Sequence, residues 1–123
     1  MHARAQLGAA GETIAADYLA THGYVVRDRN VRTPFGEIDL LCTRQRMLVV
    51  VEVKTRTSHA FGTPEVAVTR AKQRRLIRAA EWYRTQCPMY HQWPYTIDVV
   101  AITWRAPAAP DVLHVANAVE GIW

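Results

Sequence analysis

The sequence predicts an α/β fold, a mixed central sheet of about five strands flanked by helices. Three observations carry that expectation. Two stretches, one near the N-terminus and one past the middle, repeat apolar residues at helical spacing. Apolar runs of strand length, Met47–Val51 and Val99–Ile102, lie between and after them. The chain has 123 residues, half of them apolar. That suits a single domain over 1–123, since domains most often hold roughly 100–150 residues. Charged residues make up 21%, near the globular norm, which excludes disordered, collagen-like and low-complexity classes.

Residues 6–22 read as the first helix. Leu7, Gly11, Ile14 and Tyr18 recur at helical spacing with Ala15 beside them, and Gly23 stands where a left-handed cap belongs. Glu12 falls on the rim of that stripe, near Ala16 and Leu19. A short strand follows at Tyr24–Asp28, then a loop at Asn30–Gly36 punctuated by Pro34 and Gly36. Strands at Glu37–Thr43 and Met47–Lys54, joined by Arg44-Gln45-Arg46, form a hairpin by spacing. The second is apolar on both faces until Glu52, the pattern of a central, doubly covered strand. After the Thr55–Thr63 loop a second helix runs from Thr69, a suitable N-cap, to Arg84. Leu76, Ile77, Ala80 and Tyr83 form its buried stripe, and Cys87-Pro88 ends it. Tyr95–Trp104 is a further strand, Arg105–Pro110 a turn, and Val112–Val115 a last strand before a tail ending at Trp123.

No apolar run approaches the ~18 residues that span a bilayer, so no membrane partner is expected. Glu12 and Asp17 fall where a signal peptide would want an unbroken apolar core. Cys42 and Cys87 are too few for a disulfide framework. A cytoplasmic protein with reduced thiols is the expectation.

The informative segment is Gly36-Glu37-Ile38-Asp39-Leu40-Leu41 followed by Val49-Val50-Val51-Glu52-Val53-Lys54-Thr55-Arg56. Alternation along a strand puts Glu52 and Lys54 on one face, roughly 6–7 Å apart. Residues 39 and 52 lie similarly far from the turn, so Asp39 falls opposite the Glu52–Lys54 end. Two carboxylates at ~5 Å repel by about 3 kcal/mol at an effective dielectric of 20. Lys54 offsets part of this, and a divalent cation would offset more. Asp39, Glu52 and the backbone carbonyl of Val53 suit Mg²⁺ or Mn²⁺, with Lys54 placed to orient or deprotonate the attacking water. Glu12 could add a third carboxylate or serve a second metal. Glu37 is either a further ligand or a holder of the loop at Gly36. A lone Glu-x-Lys is more often an ordinary ion pair; the acid in the partner strand and the apolar approach favour a metal site.

These residues resemble the PD-(D/E)xK superfamily of restriction-endonuclease-like nucleases. The chain is more closely similar to the YraN family of small bacterial proteins, itself similar to Holliday-junction resolvases. Gly11-Glu12, Gly23-Tyr24, Asn30-Val31-Arg32, Phe61-Gly62, Lys72, Asp98-Val99-Val100 and His114-Val115-Ala116-Asn117-Ala118 extend the match over nearly the whole chain. The resemblance implies a restriction-endonuclease-like fold, with Asp39 and Glu52 as metal-binding acids, Lys54 as catalytic lysine and Glu12 as the helix acid. One departure is visible: the family tends to carry Arg two residues before Asp98, where this chain has Thr96.

The net charge of +4 is unevenly placed. Thirteen of the 15 cations are Arg, and the only lysines are Lys54 and Lys72. The second helix carries Arg70, Lys72, Arg74, Arg75, Arg78 and Arg84 against Glu81 alone, a net +5 that leaves the remainder slightly acidic. Such a stripe matches a phosphate-tracking surface, or a plainly solvated helix face. Arg56 and Lys72 are the expected nearest phosphate contacts, unless Lys72 instead holds Glu52. The five histidines show no ligand spacing, and His59 reads as a surface loop residue. Four tryptophans could stack on unpaired bases, though core placement is commoner, and Trp123 suits a docking contact. The expected function is a Mg²⁺- or Mn²⁺-dependent endonuclease on DNA, branched or damaged DNA included. The alternative is a non-catalytic nucleic-acid-binding protein of the same fold. A chain this small grips two strands with difficulty, which leaves a homodimer open.

Overall fold

The computed structural model describes residues 2–57, 68–105 and 107–119, with side chains from Leu7 onward. His59, Phe61-Gly62, most of the Thr55–Thr63 loop and Trp123 lie outside the described residues. Helix α1 (His2–Thr21) is followed by Gly23 at φ +89°, the left-handed geometry expected of a cap. Strands β1 (Val25–Thr33) and β2 (Gly36–Arg44) then pair antiparallel around a turn at Pro34-Phe35. The Asn30–Gly36 loop is therefore corrected: pairing continues to Thr33↔Gly36. Thr33 closes the turn, its Oγ1 donating to Gly36 O at 2.6 Å and accepting from Phe35 N at 3.0 Å. The polar sequence of this stretch is that of an edge strand facing solvent, which needs no apolar alternation.

The next turn is also tighter than expected. Gln45 and Arg46, at φ 50° and 62°, join β2 to β3 (Met47–Arg56), and Arg44 already pairs with Met47. Helix α2 (Arg70–Gln86) crosses over to β4 (Tyr95–Arg105), which lies parallel to β3. Strand β5 (Ala108–Val115) closes the other edge antiparallel to β4. The Arg105–Pro110 turn is thus corrected too, because Arg105↔Ala108 is already a pair. Pro110 is tolerated on an edge strand, where its missing N–H interrupts no interior ladder.

The sheet order is β1-β2-β3-β4-β5, with β3 central. Two cores follow from that position. On the α2 side Ile38, Leu48, Val50, Leu76, Ala80, Ile97 and Val99 pack together. On the α1 side Ala15, Leu19, Leu40, Val49, Val51, Val100 and Ile102 do so. Alternate valines of β3 thus feed opposite cores, as a doubly covered strand requires. A five-stranded mixed sheet with a helix on each face is consistent with a restriction-endonuclease-like fold.

Candidate active site

The β2–β3 ladder stops at Leu40↔Val51, one step short of Asp39 and Glu52. There the side chain replaces the backbone: Asp39 Oδ2 accepts from Val53 N at 2.8 Å. Strand β2 leaves strict alternation at this point, since Ile38 joins the α2-side core and Leu40 the α1-side core. The result is a carboxylate turned onto the end of the central strand.

Glu52 is 3% exposed and shares a face with half-buried Lys54. Helix α2 supplies a second ammonium: Lys72 Nζ pairs directly with Glu52 Oε2, while Lys54 Nζ lies 3.6 Å from the same oxygen. The start of α2 positions that lysine. Thr69 Oγ1 caps the helix by accepting from Lys72 N at 3.2 Å, and Gln73 Nε2 donates to Val68 O at 3.0 Å. Of the two roles open to Lys72 in the sequence, the structure shows it holding Glu52.

The electrostatics follow from this crowding. Burial, the Glu52 charge and a hydrogen bond shared with Glu52 push the Asp39 carboxyl up to about 7, against the lowering bond from Val53 N. Burial and adjacent Lys72 shift Lys54 toward its neutral amine. For Lys72, burial acts in the same sense but the Glu52 carboxylate outweighs it, and its pKa is raised. Two acids and two ammoniums therefore divide a protonation problem that a divalent cation would simplify. The paired hard oxygens fit Mg²⁺ or Mn²⁺, with the Val53 carbonyl available as a neutral donor. Among the described residues no three His, Cys, Asp or Glu side chains form a group able to hold a metal ion.

Glu12 reaches the neighbourhood because α1 crosses β3 closely at Gly11, where a Cβ would collide with the Thr55 side chain. Its charge adds to the upward pressure on Asp39. With its amide oriented as the neighbours require, Asn30 donates to Glu12 Oε1 and to Glu37 Oε1, each at 3.1 Å. Glu37 thus braces Asn30, which sits at φ 52° between the pairs Arg29↔Leu40 and Val31↔Ile38.

The basic residues separate into two groups. Arg70, Arg74 and Arg78 are exposed on α2, and Arg75 is half-buried against Gly36. Arg56 lies half-buried at the end of β3. Arg84 does not belong to the phosphate-tracking stripe: it donates to Trp93 O and Glu81 Oε2, both at 2.9 Å, and lies over the Tyr95 ring. Its guanidinium ties α2 to the segment before β4.

Sequence reasoning missed the role of Asp98. It is 1% exposed and accepts from Thr96 Oγ1 at 3.0 Å and Asn117 N at 3.0 Å, with His114 Nε2 at 2.7 Å. A lone acid between Ile97 and Val99 in an apolar strand was the available signal. Asp98 is in register with Val51, whose side chain faces α1, whereas Glu52 faces α2. Asp98 therefore fastens β5 and the residues after it, remote from the Asp39–Glu52 pair. Thr96, at the departure from the family pattern, is one of its three fasteners.

A profile of the uncharacterised protein family UPF0102 matches residues 11–102. A UPF0102 protein of Syntrophotalea carbinolica is 44% identical over 117 residues, covering 95% of this chain and 94% of its own. Another, from Thermodesulfovibrio yellowstonii, is 40% identical over 116 residues, covering 94% and 97%. A third, from Rhodococcus opacus, is 44% identical over 113 residues, covering 91% and 94%.

Proposed function

The chain belongs to the uncharacterised protein family UPF0102, and we propose that it is a divalent-metal-dependent endonuclease hydrolysing DNA phosphodiester bonds. The observation that carries this reading is the pair of crowded carboxylates, Asp39 and Glu52, beside two ammoniums at the end of the central strand. Asp39, Glu52 and the Val53 carbonyl would hold Mg²⁺ or Mn²⁺, which supplies charge stabilisation at the phosphate and acidifies the attacking water. Lys54, shifted toward its neutral form, is suited to receive the proton that water loses as it attacks phosphorus. Lys72 balances Glu52 and orients its carboxylate. Arg56, Arg70, Arg74, Arg75 and Arg78 supply positive charge for the nucleic-acid backbone.

Cleavage of linear, nicked, flapped and four-way DNA tests the reading. D39A and E52A are expected to abolish metal-dependent cleavage while DNA binding survives; unchanged cleavage in either variant overturns it. A second reading is a non-catalytic nucleic-acid-binding protein of this fold. It is favoured by the direct Lys72–Glu52 pair, which occupies one of the two acids. It expects salt-sensitive DNA binding, no turnover with any divalent metal, and no difference between wild type and D39A in calorimetric Mn²⁺ titration.

A further inference from the structure

We propose that the outer face of α2 carries a stacking site for unpaired bases, so that the DNA taken by this protein is single-stranded where it crosses that helix. The inference rests on the nucleic-acid reading above and names the form of the substrate. Trp82 is half-buried yet belongs to neither core, and Phe35 is 39% exposed and likewise belongs to neither. Together they line a shallow recess of about 280 Å³, completed by Ile77, Arg78, Glu81 and Thr85. The recess is almost wholly apolar even though two charged residues border it. Glu81 is already satisfied, accepting from Arg84 at 2.9 Å and from the Tyr95 hydroxyl at 3.0 Å.

The turn bearing Phe35 is held near α2 by the next residue. Gly36 has φ +115°, and a Cβ there would collide with the Arg75 guanidinium. Ile77 also borders a second recess, lined by Arg70 and Arg74, so the apolar face continues into a cationic one. No carboxylate pairs with Arg70, Arg74 or Arg78 among the described residues. From Lys72, which holds Glu52, to Trp82 the helix rises about 15 Å. That is the length of about four nucleotides at the B-form rise per strand.

The occupant must therefore present flat apolar surface and negative charge together. Unpaired nucleotides do so, with bases for Trp82 and Phe35 and phosphates for the arginines. A duplex hides its base faces within the stack. A second copy of this chain, meeting the same face about a twofold axis, would set arginine against arginine.

Binding measured without metal tests the site independently of cleavage. A labelled oligothymidylate is expected to bind the wild-type chain and quench tryptophan fluorescence more strongly than it does in W82F. W82A should weaken single-strand binding roughly 5- to 150-fold, the loss of one stacked base, with duplex binding little changed. W82F should retain most of the affinity. F35A, altering only the exposed turn, should weaken single-strand binding in the same direction. The proposal is overturned if W82A and F35A both bind oligothymidylate as wild type does, or lose duplex binding equally. It is also overturned if they abolish self-association while DNA binding stays intact, which would make the face an interface between copies. Absent cleavage with Trp82-dependent binding removes the nuclease reading alone; cleavage with Trp82-independent binding removes this proposal alone.

Discussion

Asp39 concentrates the chemistry of the site at a single residue. Burial first, and the Glu52 charge second, raise its carboxyl from 3.8 to about 7. A carboxyl with a raised pKa binds more protons in the folded state than in the unfolded one across that interval. Its contribution to stability is therefore full below pH 3.8 and is lost as pH rises through about 7. Thermal melts without metal should show this loss, and D39N should flatten it. Mn²⁺ at alkaline pH should restore stability to wild type and not to D39N, by mass action on the folded state. The residues of this cluster were legible because strand alternation is local: Glu52 and Lys54 had to share a face. The role of Lys72 was not, since its choice between phosphate and Glu52 depends on where α2 lies over β3.

At the scale of elements, short polar links decide how the site is assembled. Thr69 starts α2 and fixes Lys72 through one hydrogen bond. T69A is expected to cost about 1 kcal/mol by chemical denaturation. Asp98 performs the corresponding task on the other edge of the sheet, holding His114 and Asn117 while Ala118 N donates to Ile97 O at 2.7 Å. D98A should destabilise the protein by about 2–3 kcal/mol, because it leaves buried donors unpaired. Hydrogen exchange at Asn117 and Ala118 should rise more than in β3. The helices and the β2–β3 hairpin were legible from periodicity and turn residues. The extensions of β1 and β5 were not, because an edge strand exposed to solvent has the same polar composition as a loop.

For the molecule as a whole, charge is the organising quantity. The net +4 resolves into a basic α2 and a slightly acidic remainder that contains Glu12, Asp39 and Glu52. If Arg70, Arg74, Arg75 and Arg78 each neutralise one phosphate, a fourfold rise in salt should weaken DNA binding about 50- to 150-fold. R74A should reduce the slope of log affinity against log salt by about one, read by fluorescence anisotropy. R84A should affect stability more than that slope, because its guanidinium is engaged with Glu81, Trp93 and Tyr95. No described helix is long and apolar enough to cross a membrane. By itself the sequence determined the mixed five-stranded sheet, the central position of β3 and the meeting of Asp39 with Glu52 and Lys54. Each follows from side-chain direction along a strand or across a tight hairpin, which short-range geometry dictates. Only the tertiary structure decided that Lys72 faces Glu52, that Arg84 is structural and that Trp82 lies outside both cores. Those outcomes depend on how α2 is rotated and seated over the sheet, and two packed faces settle that jointly.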